Sequence, residues 1–277
     1  VEIDADVVML VEVGGEDSLV SFNRLFLGDR YEPYFVEGNS ARGMDLAFLV
    51  RRGLPLEAEA LSNREREVRL FREGAHRRAR FSRDIAELRL CEGDVPRLIL
   101  LLVHLKSKLS AVGDVAGRSL RTAEADALAD FYAQRRSEFP GVPVVVGGDF
   151  NAPLGSQELE LLARSGLVDF NDVVGTPESQ RYTHVHFDMA GNVRAEAIDY
   201  LLLSPELRDV VVKEGSFTFW YQGERGTAPP LPSAAVGRYL MPSDHFPVVV
   251  TLDLGALDRG PGAAAGLGRG DAKGEEP

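Results

Sequence analysis

Val142-Pro143-Val144-Val145-Val146-Gly147-Gly148-Asp149-Phe150-Asn151 decides how this chain is read. The valine run predicts a buried strand, because a strand covered on both faces reads as continuous aliphatic sequence. Two glycines let the backbone turn sharply at its end. Asp149 and Asn151 stand two residues apart, so their side chains lean to the same side of the chain. One is a full charge and an acceptor; the other carries a donor amide. Taken alone, the last five residues also suit a plain Asx turn after a strand. A carboxylate and an amide at the mouth of a buried strand otherwise suit an attacking water and an anionic oxygen.

The flanks extend this reading. Residues 120–139 place Ala123, Ala127, Leu128, Phe131 and Tyr132 on one helical face, and Pro140-Gly141 ends the helix. Residues 81–90 and 97–105 read as strands around an Asp94-Val95-Pro96 turn, the second ending at His104, a structural or a catalytic histidine. Downstream, Ala197-Ile-Asp-Tyr-Leu-Leu-Leu203 is a strand with Asp199 inside it. A carboxylate there is costly unless a cation, a metal or a histidine answers it. Ser243-Asp244-His245-Phe246-Pro247 leads into a last strand at 248–252, and supplies a histidine that a carboxylate can orient.

Upstream, residues 7–13 form a strand that Glu12 leaves beside Gly14-Gly15, as a surfacing charge or a metal ligand. Residues 17–27 have helical spacing; 31–36 and 44–50 are strands, with Asp45 a polar strand-end residue. Residues 156–165 predict a short helix capped by Ser156, 167–181 a polar loop, 182–186 a short strand whose His184 and His186 have the spacing of a metal pair but, with no cysteine or third histidine beside them, read as structural, 209–219 a further strand and 221–240 a surface loop. Residues 62–83 hold eight arginines against three glutamates. They form either a solvated face or an edge turned toward phosphate, whose oxygens match the arginine fork.

With 277 residues, 44% of them hydrophobic, the chain can build one large core. Its net charge of −12 argues against wholesale wrapping of nucleic acid. Cys91 is the sole cysteine, so no internal disulfide forms, which favours a reducing, cytoplasmic setting. No stretch is long and apolar enough to span a bilayer, and no signal peptide is visible. Strands outnumber helices without repeats, so the expectation is one monomeric α/β domain over 1–254 and a disordered Gly/Ala-rich tail over 255–277.

Four stretches in order, Leu-Val-Glu12-Val, Gly-Gly-Asp149-Phe-Asn151, Ile-Asp199-Tyr and Ser-Asp244-His245-Phe-Pro-Val, resemble the endonuclease/exonuclease/phosphatase superfamily. Phe81-Ser82-Arg83-Asp84 and Val103-His104-Leu105 look similar to its deoxyribonuclease I branch. The resemblance implies an α/β four-layer sandwich of two mixed β-sheets flanked by helices. It implies that Glu12, Asp149 and Asp244 bind or neighbour Mg²⁺ or Mn²⁺, and that Asp149 activates water. Asn151 and Arg83 would hold phosphate oxygens. His245, set by Asp199, and His104, oriented by Asp45, would face the scissile phosphate. An oxygen-rich, sulfur-poor donor set suits such a hard cation. The expected activity is a metal-dependent phosphodiesterase on DNA or RNA. A phosphomonoesterase, a phospholipase C-type enzyme and a non-catalytic member binding a partner through the cleft are the alternatives. The family's opening strand, which carries an Asn, has no counterpart here, and the disulfides of secreted deoxyribonuclease I-like enzymes are impossible.

Overall fold

The computed structural model describes residues 3–72, 74–109, 113–188, 190, 192–221, 228–231 and 241–259. The chain opens with β1 (Val7–Val13), α1 (Glu16–Phe26), β2 (Tyr31–Val36) and β3 (Asp45–Arg51). These strands form a sheet of order β1-β3-β2, antiparallel throughout. Next come β4 (Glu57–Leu61), the hairpin β5 (Glu67–Arg72) and β6 (Ala75–Arg80), then β7 (Ile85–Glu92) and β8 (Val95–His104). α2 (Arg118–Glu138) crosses over to β9 (Val144–Asp149). After α3 (Glu160–Ala163), β10 (Val168–Asp169) and α4 (Phe170–Val174) lie the hairpin β11 (His184–Phe187) and β12 (Val193–Glu196), and then β13 (Asp199–Leu203). β14 (Phe217–Thr218), β15 (Val248–Val249) and α5 (Leu254–Arg259) close the described chain.

The larger sheet runs β10-β13-β9-β8-β7-β4, and its β8–β9 pair is parallel. Period-two alternation builds the layers. In β3, Leu46, Phe48 and Val50 face the larger sheet, while Ala47 and Leu49 face Leu19 of α1. In β8, Leu98, Leu100 and Leu102 meet β3, while Ile99, Leu101 and Val103 meet Leu128 and Phe131 of α2. Helix, sheet, sheet, helix is therefore the stacking order. The larger sheet is mixed as expected, and the smaller is purely antiparallel.

Asp114, four residues before α2, caps its first turn, its carboxylate accepting from Ser119 N and Leu120 N at 2.9 and 3.2 Å. Three local expectations change. Residues 209–219 hold 3-10 turns, with Phe217–Thr218 the one strand pair among them, because Leu207 and Val210 are both buried at a spacing of three. Residues 167–181 contain β10 and α4, the latter capped by Asp169, which accepts from Asn171 N at 2.9 Å. Ser156 makes no capping hydrogen bond, and residues 157–163 split into a 3-10 turn and one turn of α-helix. Most of the loop expected at 221–240 and of the tail expected at 255–277 lies outside the described residues; residues 255–259 belong to α5.

Candidate active site

Strand register assembles the centre. His104 lies opposite Asp149 across β8–β9, and Asp199 lies opposite Asp149 across β9–β13. Three titratable side chains thus lie at the ends of three adjacent strands at one level. Gly148 makes the approach possible: its φ is +130°, and a Cβ there would stand 1.9 Å from the Val103 carbonyl oxygen. Phe150 then anchors the turn in the core, its ring edge-on to Tyr200 at 5.6 Å.

Asp149 is buried and densely held. Asn151 N donates to its Oδ1 at 2.8 Å, and Asn151 Nδ2 to its Oδ2 at 2.9 Å. The Asx turn and the pairing of Asp149 with Asn151 are thus the same structure. The second proton of Asn151 Nδ2 goes to Leu105 O at 3.0 Å. The Asn151 amide is therefore occupied in fixing Asp149, where the sequence suggested a free donor for phosphate. Burial, and then the negative charge of Asp199, hold the Asp149 carboxyl well above the usual carboxylate range.

His245 Nδ1 sits 2.9 and 3.1 Å from the two carboxylate oxygens of Asp199. Burial pulls this imidazole down, but Asp199, Asp149 and Asp244 outweigh it and push its pKa up to about 9. His104 is the opposite case. Burial first, and then the Arg83 charge, pull it down to about 3, so the two histidines differ in charge at neutral pH. His104 Nε2 stands 3.4 Å from Asp149 Oδ2 and 3.9 Å from Glu12 Oε1.

Glu12 reaches this place through a distortion. The β1–β3 register slips between Leu10 and Val13, and Glu12 adopts φ +59°. A bulge re-aims a side chain in this way, and a left-handed non-glycine residue costs about 1–3 kcal/mol. Asn151, at φ +53°, is a second such residue at the site.

Asp45 does not orient His104. Its Oδ1 accepts from Gly38 N at 2.9 Å, and His104 Nδ1 is buried without a partner. The Asp244 carboxylate faces His184 Nε2 at 3.7 Å, and that pairing holds its pKa low. Arg83 is buried, with Nη1 toward Ser82 Oγ at 3.3 Å and Leu105 O at 3.4 Å, and its Nε has no partner. Ligand atoms of Asp149, Asp199 and His245 fall within 4.8 Å of one another, but with His245 charged and paired to Asp199 the imidazolium is itself the cation of that set.

Sequence reasoning missed two contributors. His184 packs its ring 4.6 Å from that of His245 and pairs with it through an isolated β-bridge. Glu124 of α2 is fully buried and accepts from Ser82 N at 2.6 Å, Ser82 Oγ at 2.7 Å and Lys106 N at 2.6 Å. It ties the segments carrying Arg83 and His104 together. A glutamate on the apolar face of a predicted amphipathic helix was the available signal.

A model of the Endonuclease/Exonuclease/phosphatase family matches residues 1–245. Among solved structures, an endonuclease/exonuclease/phosphatase from Beutenbergia cavernae aligns with a TM-score of 0.55 and 20% identity, covering 91% of this chain and 64% of that one. The catalytic domain of human Nocturnin, solved with a sulfate anion, gives 0.53 and 17%, covering 89% and 81%. TDP2 from Caenorhabditis elegans gives 0.50 and 20%, covering 73% and 55%, so the chain spans little more than half the length of that relative. At these identities the likeness is one of fold. A search of curated proteins finds no matching sequence.

Proposed function

The chain belongs to the endonuclease/exonuclease/phosphatase family, and from that premise we propose that it is a divalent-metal-dependent phosphodiesterase acting on nucleic acid. Membership supports phosphoester hydrolysis. The observation that carries the finer reading is the alignment of His104, Asp149 and Asp199 on adjacent strands, with His245 locked to Asp199.

The donor set fits a cation. Glu12 and Asp149 converge on one nitrogen of His104, and Asp149 is a buried carboxylate beside a second negative charge. Glu12 and Asp149 would hold it, and the oxygen donors favour Mg²⁺ or Mn²⁺ over zinc. When bound, the ion offsets the negative charge that builds on the phosphoryl group.

The remaining roles follow from protonation state. Asp149, with its raised proton affinity, takes a proton from water as the water oxygen attacks phosphorus. Asn151 keeps Asp149 in place. His245, charged at neutral pH and aimed by Asp199, faces a non-bridging oxygen. Neutral His104, its Nε2 turned to Asp149 and Glu12, stands beside the carboxylates that would hold the cation. Arg83, buried beside the site, adds positive charge on the phosphate side. The bond from phosphorus to the leaving oxygen breaks, and that oxygen is protonated as the product departs.

Hydrolysis of plasmid DNA, bis-p-nitrophenyl phosphate and p-nitrophenyl phosphate, each with Mg²⁺ and with EDTA, tests this reading. Metal-dependent cleavage of both diesters is the expected result. Cleavage of the monoester alone would replace the diesterase by a phosphatase.

A further inference from the structure

Resting on the nuclease reading above, we propose that the β5–β6 hairpin is a docking platform for single-stranded nucleic acid flanking the scissile phosphodiester. The hairpin is an excursion between two strands of the larger sheet. Its inward side chains, Val68, Leu70 and Ala79, pack into the core under α2. Its outward side chains face each other in register as Glu67 with Arg80, Arg69 with Arg78, and Phe71 with His76.

Two features of that outward face ask for a ligand. Arg69 directly opposes Arg78, and like charges opposed across a ladder destabilise it unless an anion lies over both. Glu67 answers Arg78 at 3.2 Å, and Glu65 answers Arg80 at 2.8 Å, so each of these two carboxylates serves one arginine of an outward row that carries Arg69, Arg78 and Arg80. Arginines two residues apart along a strand recur about every 6.8 Å, a spacing that suits successive phosphates of an extended strand. Phe71, in the same row, is 58% exposed, its ring 5.1 Å from that of His76. An exposed aromatic among arginines is a stacking surface for an unpaired base.

The platform joins the site at its base. Arg80 ends β6 three residues before Arg83, a reach of about 10 Å at most. At the same base, Ser62, Asn63, Arg64, Glu65 and Arg66 line an open groove of about 420 Å³. A lipid surface would call for several apolar side chains, and this face offers one aromatic among cations.

The test measures anisotropy of a short labelled single-stranded oligonucleotide in EDTA across a salt series. The proteins are wild type, an Arg69→Ala/Arg78→Ala double variant and Phe71→Ala. Bis-p-nitrophenyl phosphate turnover with Mg²⁺ and thermal melting run alongside, as does sedimentation with phosphatidylserine vesicles. The double variant should bind at least about tenfold more weakly and lose about 1.4 from the slope of log affinity against log salt. Phe71→Ala should weaken binding about tenfold with the slope unchanged. Diester turnover and melting should stay at wild-type values. Equal oligonucleotide binding by all three proteins would overturn the proposal, as would binding to vesicles alone, or diester turnover lost in a folded hairpin variant. Hairpin-dependent binding by a wild type silent on the diester supports the platform and fails only the catalytic reading.

Discussion

Asp149 has neighbours that disagree about its charge: burial and Asp199 favour its proton, while Asn151 and the charged His245 favour its anion. That balance suits a group that must take a proton and give it up near neutral pH. Asp149→Asn should lower turnover by about two to four orders of magnitude while leaving the melting temperature within a few degrees; near-normal rates would remove its role. In the same assay His245→Ala should lose far more activity than His184→Ala, since only His245 is paired to Asp199. Asp84 makes a prediction about stability. Burial pushes its pKa up to about 6, despite hydrogen bonds from Ser62 Oγ and Asn63 N. A carboxyl raised in the folded state contributes stability that is complete below its unfolded value and lost as pH climbs through the folded one. The wild type should therefore lose roughly 2–3 kcal/mol relative to Asp84→Asn between about pH 4 and pH 7, read from urea titrations of both proteins. A flat difference would show that Asp84 is not held protonated. At this scale the sequence disclosed residues whose neighbours in the chain betray them: Asp149 after the valines, Asp199 inside an aliphatic strand, His245 beside Asp244. It did not disclose Glu12's aim, which a bulge sets, or Glu124's burial, which depends on chain segments remote from it.

The strand β9 depends on Gly148 more than on its valines. With φ at +130° and the Val103 carbonyl oxygen where a Cβ would sit, Gly148→Ala must push β8 away from β9 or break the turn. It should destabilise the protein by more than about 3 kcal/mol, and circular dichroism melting checks this against Gly155→Ala, where a Cβ meets nothing. A stable, active Gly148→Ala protein would contradict the described packing. Long elements were legible because their periodicity is strong: α2, β3, β8 and β9 lie within a few residues of their predicted bounds. Short ones were not. The segment around Val210 has strand-like composition, but Leu207 and Val210 are buried in a 3-10 turn. α4 rests on a single Asp169 cap in an otherwise polar stretch. Pairing order was also hidden, since nothing local says that β13 joins β9 or that β4 joins β7.

For the molecule as a whole, a resident cation should appear as added stability. At about 100 times its dissociation constant, Mg²⁺ would contribute about 2.7 kcal/mol, which for a chain of this size raises the melting temperature by about 5–10 °C. EDTA should reverse the shift and abolish hydrolysis, and Asp149→Asn should shrink it; melting indifferent to both ions would remove the metal from the mechanism. The layered sandwich was legible from the sequence as a family pattern, and the alternation in β3 and β8 gives it a physical basis. His104 and Asp149 meet across the one parallel pairing among the described strands, with α2 and its connections between them. Hairpins such as β7–β8 zip from residues already close, whereas a parallel pair must wait until its crossover has closed, at a cost in chain entropy that local contacts do not offset. The expected order in time is secondary structure and much of the core first, and the meeting of His104 with Asp149 last. A refolding chain should regain ellipticity before it regains hydrolysis, so a half-folded chain holds its reactive groups apart until the architecture around them is finished.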